Sequence, residues 1–196
     1  GSGGGGCGRG AGWGAGVAHA GVRRVGGGGA SDVWWEDVDV MRAIAGGTGI
    51  GPGDEGEDKG AVRAAYGMEG PVDLRFGRLA VPVFHSEDYQ FQIGQGEVLK
   101  DGSDVAIIAN GLLVYEAVKA AEALEAEGIH AMVINMATIK PLDNDLVLEA
   151  AKKCGRVITC EEHSVIGGLG EAVCSLLSEK HPTPVKRIGV NDEFGH

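Results

Sequence analysis

Arg156-Val157-Ile158-Thr159-Cys160-Glu161-Glu162-His163-Ser164-Val165-Ile166-Gly167-Gly168-Leu169-Gly170 decides the fold. Val157 to Cys160 is a short apolar run and reads as a buried strand. A charged turn follows, then a glycine-rich entry into an apolar helical pattern from about Gly168 to Glu179. Strand, charged turn, glycine and helix in this order belong to an α/β domain whose strand ends carry function.

The same grammar repeats on both sides. Val105 to Ala109 and Met132 to Asn135 read as core strands, and Val185 to Val190 as a last one after Pro182 and Pro184. Leu113 to Glu127 reads as a helix ended by Gly128. Ile139 to Asp143 reads as a turn, with Asp143 the N-cap of a helix to Lys153 that Gly155 closes. Gly96 to Gly102 reads as an edge strand running into an Asp-Gly turn. The pattern predicts a three-layer α/β sandwich over residues 94–196, with a mostly parallel sheet and one antiparallel edge strand.

Upstream the signal thins. Residues 81–93 read as a linker, in which Phe84, Tyr89 and Phe91 pin the chain to a domain surface. Residues 31–80 read as a partial α/β unit. It has a helix from Glu36 to Ala45, a short strand at Thr48 to Pro52, a helix capped by Asp54 and running to Tyr66, and a strand from Val72 to Arg75. Of the 36 glycines, 22 fall in residues 1–60. Residues 1–30 are mostly Gly and Ala, without the apolar surface to offset their ordering entropy, so they are expected to be disordered or poorly packed.

Bulk properties narrow the function. The 17 Lys and Arg against 28 Asp and Glu give a net charge of −11, which argues against broad binding to nucleic acid or anionic membranes. No apolar run has the length of a membrane span, and the N-terminus lacks the order of a signal peptide, so a cytoplasmic location is expected. Cys7, Cys154, Cys160 and Cys174 form no C-x-x-C pair and no zinc spacing, so no metal site is expected; Cys160 and Cys174 read as buried free thiols.

Few residues carry candidate chemistry. Gly167-Gly168-Leu169-Gly170 at a helix start suits an anion, but matches neither G-x-G-x-x-G nor a P-loop, and close helix–strand packing is the favoured reading. Glu161 and Glu162 point to opposite faces of a strand end, so a salt bridge or interface contact is favoured over a paired acid/base role with His163. Arg75 and Arg78 suit either a bidentate phosphate fork or a surface ion pair. His19 and His85 have no partners at catalytic spacing in the sequence.

Several segments together resemble one family. Phe91 to Leu99, Val133 to Asp143 (Val-Ile-Asn-Met-Ala-Thr-Ile-Lys-Pro-Leu-Asp), Glu161 to Gly170 and Arg187 to Gly195 are similar to the C-terminal domain of transketolases. The likeness is to the C-terminal subunits of split bacterial enzymes, with deoxyxylulose-phosphate synthase and the β subunits of 2-oxoacid dehydrogenases sharing the layout. Residues 36–86 resemble the end of the family's pyrimidine-binding domain. The resemblance implies a C-terminal transketolase section, ending short of the family's last helix, that is inactive alone. Its parent would move a two-carbon ketol unit between sugar phosphates in the pentose phosphate pathway, using thiamine diphosphate and Mg²⁺. Neither cofactor is expected to bind this chain by itself. The implied partner is a diphosphate-binding N-terminal half or subunit, in a homodimer or heterotetramer. The competing reading is a non-catalytic subunit-association domain.

The resemblance also assigns substrate contacts. Gly70-Pro71-Val72-Asp73-Leu74-Arg75-Phe76-Gly77-Arg78 is similar to the last strand of the pyrimidine domain, where an arginine binds the terminal phosphate; Arg78 is the better match and Arg75 the second. His19-Ala20-Gly21 resembles a segment whose histidine reaches the substrate. Asp32 stands where the family has another substrate-binding histidine, which is expected to weaken the binding of an anionic sugar phosphate. The family's catalytic glutamate has no counterpart in residues 1–30.

Overall fold

The computed structural model describes residues 16–20, 38, 42–77, 81–86 and 89–191, and everything below concerns those residues. Their strands form two sheets. The first comprises β1 (Gly16–Ala20), β2 (Thr48–Ile50), β3 (Val72–Phe76) and β7 (Thr138–Lys140), in the order β1-β3-β2-β7. The second comprises β4 (Glu97–Lys100), β5 (Val105–Ala109), β6 (Ala131–Asn135), β8 (Val157–Ser164) and β9 (Val185–Val190), in the order β4-β6-β5-β8-β9. In the second sheet β6, β5, β8 and β9 are parallel and β4 runs antiparallel at one edge.

Helices cover both faces of this second sheet. Strand β5 is buried along its whole length, and its residues alternate between two cores. Ala106 and Ile108 pack toward α3 (Asn144–Cys154) and α4 (Leu169–Lys180), with Val147, Ala151, Leu169, Val173 and Leu177. Val105, Ile107 and Ala109 pack toward α2 (Leu113–Ala126), with Val114, Ala117 and Ala121. A parallel strand buried on both faces needs apolar residues at every position, as Val-Ala-Ile-Ile-Ala supplies. The result is the expected three-layer α/β sandwich.

The first sheet has a smaller core. Ile50, Val72 and Leu74 pack on Ala61 of α1 (Glu55–Tyr66), and the connector's Phe91 and Ile93 close it. Of the three aromatics of residues 81–93, Phe91 packs on this core. Gly56 lets the connector lie close, since a Cβ there would stand 2.5 Å from the His85 carbonyl oxygen. Asp54 caps α1 as expected, its side chain accepting from the Glu57 N–H at 2.9 Å.

Four local readings change. Gly16–Ala20 is a strand paired in parallel with β3, within a segment expected to pack poorly. Its partner lies more than fifty residues downstream, where no local pattern reveals it. Thr138, Ile139 and Lys140 were expected partly in a turn, but form β7, which pairs antiparallel with β2 and ties the second unit to the first sheet. The Asp101-Gly102 pair makes no hairpin, because β4 neighbours β6 and not β5. Instead a Cβ on Gly102 would stand 2.3 Å from the Ala131 carbonyl carbon, so the residue permits a close crossing. Lastly, β8 runs to Ser164, so Glu161, Glu162 and His163 belong to a strand and not to a turn. Of the helix expected over Glu36 to Ala45, the described residues Val38, Arg42 and Ala43 are helical. No helix among the described residues is long and apolar enough to cross a membrane.

Candidate functional site

Strand ends from both sheets meet at one place. β2 runs out at Gly51, β3 at Gly77, β5 at Asn110, and β8 brings Glu162 and His163. Backbone hydrogen bonds join the sheets there: Gly51 N–H donates to Ala137 O at 2.7 Å and Gly111 N–H to Gly51 O at 3.1 Å. The carboxyl ends of parallel strands are where open α/β sheets bind ligands, because loops diverge there and leave a crevice. The cleft between these ends has a volume of ≈ 20 Å³, room for one or two water molecules.

Arg75 lines this cleft. Its Nη2 donates to the Glu162 carbonyl oxygen at 2.6 Å, so the guanidinium reaches from the first sheet to the end of β8. His19 lies opposite Arg75 in register across β1 and β3, so the backbone brings two of the three expected substrate residues to one strand end. Arg78, the third, lies outside the described residues, as does Asp32.

The glycine-rich motif binds an anion, and that anion is its own Glu161. The Glu161 carboxylate accepts from Leu169 N–H at 2.6 Å and from Gly170 N–H at 2.9 Å, at the start of α4. Gly168, the N-cap of α4, makes no side-chain cap bond, so a carboxylate from β8 serves in its place. The favoured reading of the glycines, close helix–strand packing, therefore holds, and the carboxylate they admit is the chain's own. A Cβ on Gly168 would stand 1.9 Å from Glu161 Oε2, so only glycine admits the carboxylate. Burial pushes the Glu161 pKa up, against the pull of the Gly170 and Leu169 N–H groups. Glu161 and His163 are both buried while Glu162 between them is exposed, as strand alternation requires.

A second polar cluster was not legible in the sequence. His85 is buried between Asp54 and Glu97: its Nδ1 lies 2.9 Å from Asp54 Oδ1 and its Nε2 2.7 Å from Glu97 Oε2. Asp54 Oδ2 also accepts from the N–H groups of Phe84 and His85, at 2.6 and 2.7 Å. Glu57 Oε2 accepts from Gly53 N–H at 2.6 Å, and both its oxygens accept from Asn135 Nδ2 at 2.9 Å. Burial alone would push the His85 pKa down. The hydrogen bonds to Glu97 and Asp54, with the charge of Glu57 behind them, outweigh it and hold the pKa above its ordinary value. Burial likewise raises Glu57, while at Asp54 it is outweighed by the N–H groups of Glu57 and His85, leaving that carboxyl below its usual range. The spacing Asp54-x-x-Glu57 is a capping-box signal. Nothing local pointed to His85, which lies 31 residues beyond Asp54.

Comparisons with known proteins agree with one another. The family described as transketolase, C-terminal domain, matches residues 94–196. The chain is 42% identical over 167 residues to the 6-deoxy-6-sulfo-D-fructose transketolase subunit SqwH of Clostridium sp. strain MSTE9, covering 85% of this chain and 52% of that one. It is 42% identical over 158 residues to an apulose-4-phosphate transketolase subunit of Phocaeicola vulgatus, covering 80% of this chain and 50% of that one. The chain thus spans about half the length of the curated relatives it matches. A solved structure described as a split gene transketolase, inactive β4 tetramer, superposes with a TM-score of 0.85 at 46% identity, over 92% of this chain and 58% of that one.

Proposed function

We propose that this chain, which belongs to the transketolase C-terminal domain family, is the C-terminal section of a split thiamine-diphosphate-dependent transketolase and works only with a second subunit. The observation that carries this reading is the register of His19 with Arg75 at the carboxyl ends of β1 and β3, in a chain whose relatives are named as transketolase subunits. Arg75 and Arg78 are the groups for the terminal phosphate of a sugar phosphate, since a guanidinium fork matches phosphate oxygens bidentately. His19 is the group for a sugar hydroxyl.

Among the described residues no cluster of three or more His, Cys, Asp and Glu is placed to hold a metal ion under a diphosphate. We assign the diphosphate and its Mg²⁺ to the partner subunit, since this chain spans about half the length of its relatives. A specific observation favours self-association in its absence, since the superposing relative is described as an inactive β4 tetramer.

The test is reconstitution. The chain alone is expected to show no ketol transfer and to run as a homo-oligomer in size-exclusion chromatography with light scattering. Mixed with a separately produced diphosphate-binding transketolase subunit, it is expected to form a complex and restore transfer. Arg75→Gln and Arg78→Gln are each expected to raise KM for the sugar phosphate more than they lower kcat. Turnover by the chain alone, or no complex with the second subunit, would overturn the proposal.

A further inference from the structure

The end of β8 holds two separate pieces of the first unit. His163 Nδ1 lies 2.7 Å from the Ser164 carbonyl oxygen, and its Nε2 lies 3.2 Å from the Val38 N–H. A carbonyl only accepts and an amide N–H only donates. The ring must therefore carry its proton on Nδ1 and present a lone pair at Nε2, which fixes it as one neutral tautomer. Arg42, likewise helical, donates from Nη1 to the carbonyl oxygens of Gly167 and Gly168, the latter at 2.9 Å. Lys140 Nζ, from β7, donates to the carbonyl oxygens of Arg42 and Ile44 at 2.8 and 2.6 Å. Val38, Arg42 and Ile44 are thus each held by hydrogen bonds from the second unit. One residue before His163, the Glu162 carbonyl accepts from Arg75.

These contacts share one foundation. The carbonyls of Gly167 and Gly168 are placed by α4, whose start is fixed by Glu161. The ring of His163 is placed by burial on the same strand, with 2% of its surface exposed. The motif is therefore not a ligand site but a socket, and its ring reaches the cleft into which Arg75 also projects.

We propose that His163 is a positioning residue for the transferase reading given above. Through the Val38 N–H its ring fixes that residue on one side of the cleft, while the adjoining Glu162 carbonyl fixes Arg75 on the other. This rests on the proposed function only for its kinetic consequence; the positioning itself is read in the chain alone.

Two variants separate the ring's acceptor from its bulk. Gln at this position carries its Oε1 the same number of bonds from the Cα as His Nε2, so His163→Gln retains an acceptor for Val38 whereas His163→Leu has none. Amide hydrogen exchange of the isolated chain is the first readout. His163→Leu is expected to speed exchange at Val38 about tenfold, roughly the factor an ordinary hydrogen bond carries, and His163→Gln to restore most of the protection. In the reconstituted two-subunit enzyme, His163→Leu is expected to raise KM for the sugar phosphate with kcat little changed, and His163→Gln to rescue it. Unchanged exchange at Val38, or a His163→Gln variant no better than His163→Leu, would refute the positioning role. Should His163→Leu fail to fold, the wild-type ring nitrogen resonances decide: a protonated Nδ1 with an unprotonated Nε2 supports the role, and the reverse tautomer overturns it. Altered exchange without any activity on reconstitution would sink the functional reading and leave the positioning intact.

Discussion

Replacing His85 by phenylalanine isolates the polar part of the junction between the two units. Phe keeps a ring against Tyr89 and Phe84, whose centroids lie 4.1 and 4.6 Å from the His85 ring, and removes both hydrogen-bonding nitrogens. The side chain of Asp54 is fully buried, so the bond lost there is charge-assisted and desolvated, worth about 1.5–3 kcal/mol. The Glu97 side chain is 41% exposed and turns to water, so that bond is discounted to about 0.5 kcal/mol. Together these put the cost near 3 kcal/mol while His85 is protonated. The folded pKa of His85 is raised above its ordinary 6.5, so its protonated form adds stability fully below pH 6.5, and this is lost as pH rises through the folded value. Above the folded value the neutral ring has one N–H for two carboxylates, so a single bond remains while the bare ring nitrogen faces the other carboxylate, and the net loss on substitution is about 1 kcal/mol. In paired thermal melts, His85→Phe is expected to lower Tm by roughly 6–12 °C at pH 6 but by only about 2–4 °C at pH 9. A deficit equal at the two pH values, or larger at pH 9, would refute the assignment of a protonated His85 shared by two carboxylates.

Further expectations concern the β8–α4 connection. Glu161→Ala leaves the Leu169 and Gly170 N–H groups buried without an acceptor, and urea denaturation is expected to show a loss of about 3–5 kcal/mol. Gly168→Ala forces a methyl onto Glu161 Oε2 without removing the carboxylate, and its melting temperature should fall as Glu161→Ala does; a neutral Gly168→Ala would show that the cap is not built as described. Cys160 is buried on the α2 face of β8, and burial together with the Glu161 charge pushes its thiol up to about 11. Iodoacetamide at pH 7.5 should therefore leave Cys160 unmodified in the folded chain and alkylate it in urea, as mass spectrometry of the tryptic peptide would reveal.

The second unit was legible because its strands are long, apolar and separated by capped helices. Asp143 accepts from Leu146 N–H at 3.0 Å and Gly155 adopts φ +69° after α3, where the sequence placed a cap and a stop. Each of these signals acts over a few residues, so it survives in one dimension. The strands β1 and β7 escaped notice for the opposite reason. Three to five residues with no periodicity become strands only because β3 and β2 offer unpaired backbone groups.

The candidate site divides in the same way. Arg75, at the end of the strand expected over Val72 to Arg75, was identifiable as a strand-end cation, and the glycines of residues 167–170 as a helix entry. Which anion that entry takes was a tertiary matter, since Glu161 and the α4 N–H groups meet only when β8 and α4 pack. His85 shows the limit more sharply. Its partners Asp54 and Glu97 stand 31 residues before it and 12 after it, and both separations run beyond any single helix or strand of this region.

Sequence alone determined the layered α/β architecture of residues 94–196, because burial of a sheet on both faces dictates which residue types recur and where, and the resemblance of its motifs, such as Glu161 to Gly170, pointed to the family. The closing of the first sheet by β7, the socket around Val38 and Arg42, and the His85 cluster were decided by tertiary structure. Each depends on desolvating polar groups from distant segments against one another, and the strength of such contacts is set by burial and geometry that no run of neighbouring residues encodes.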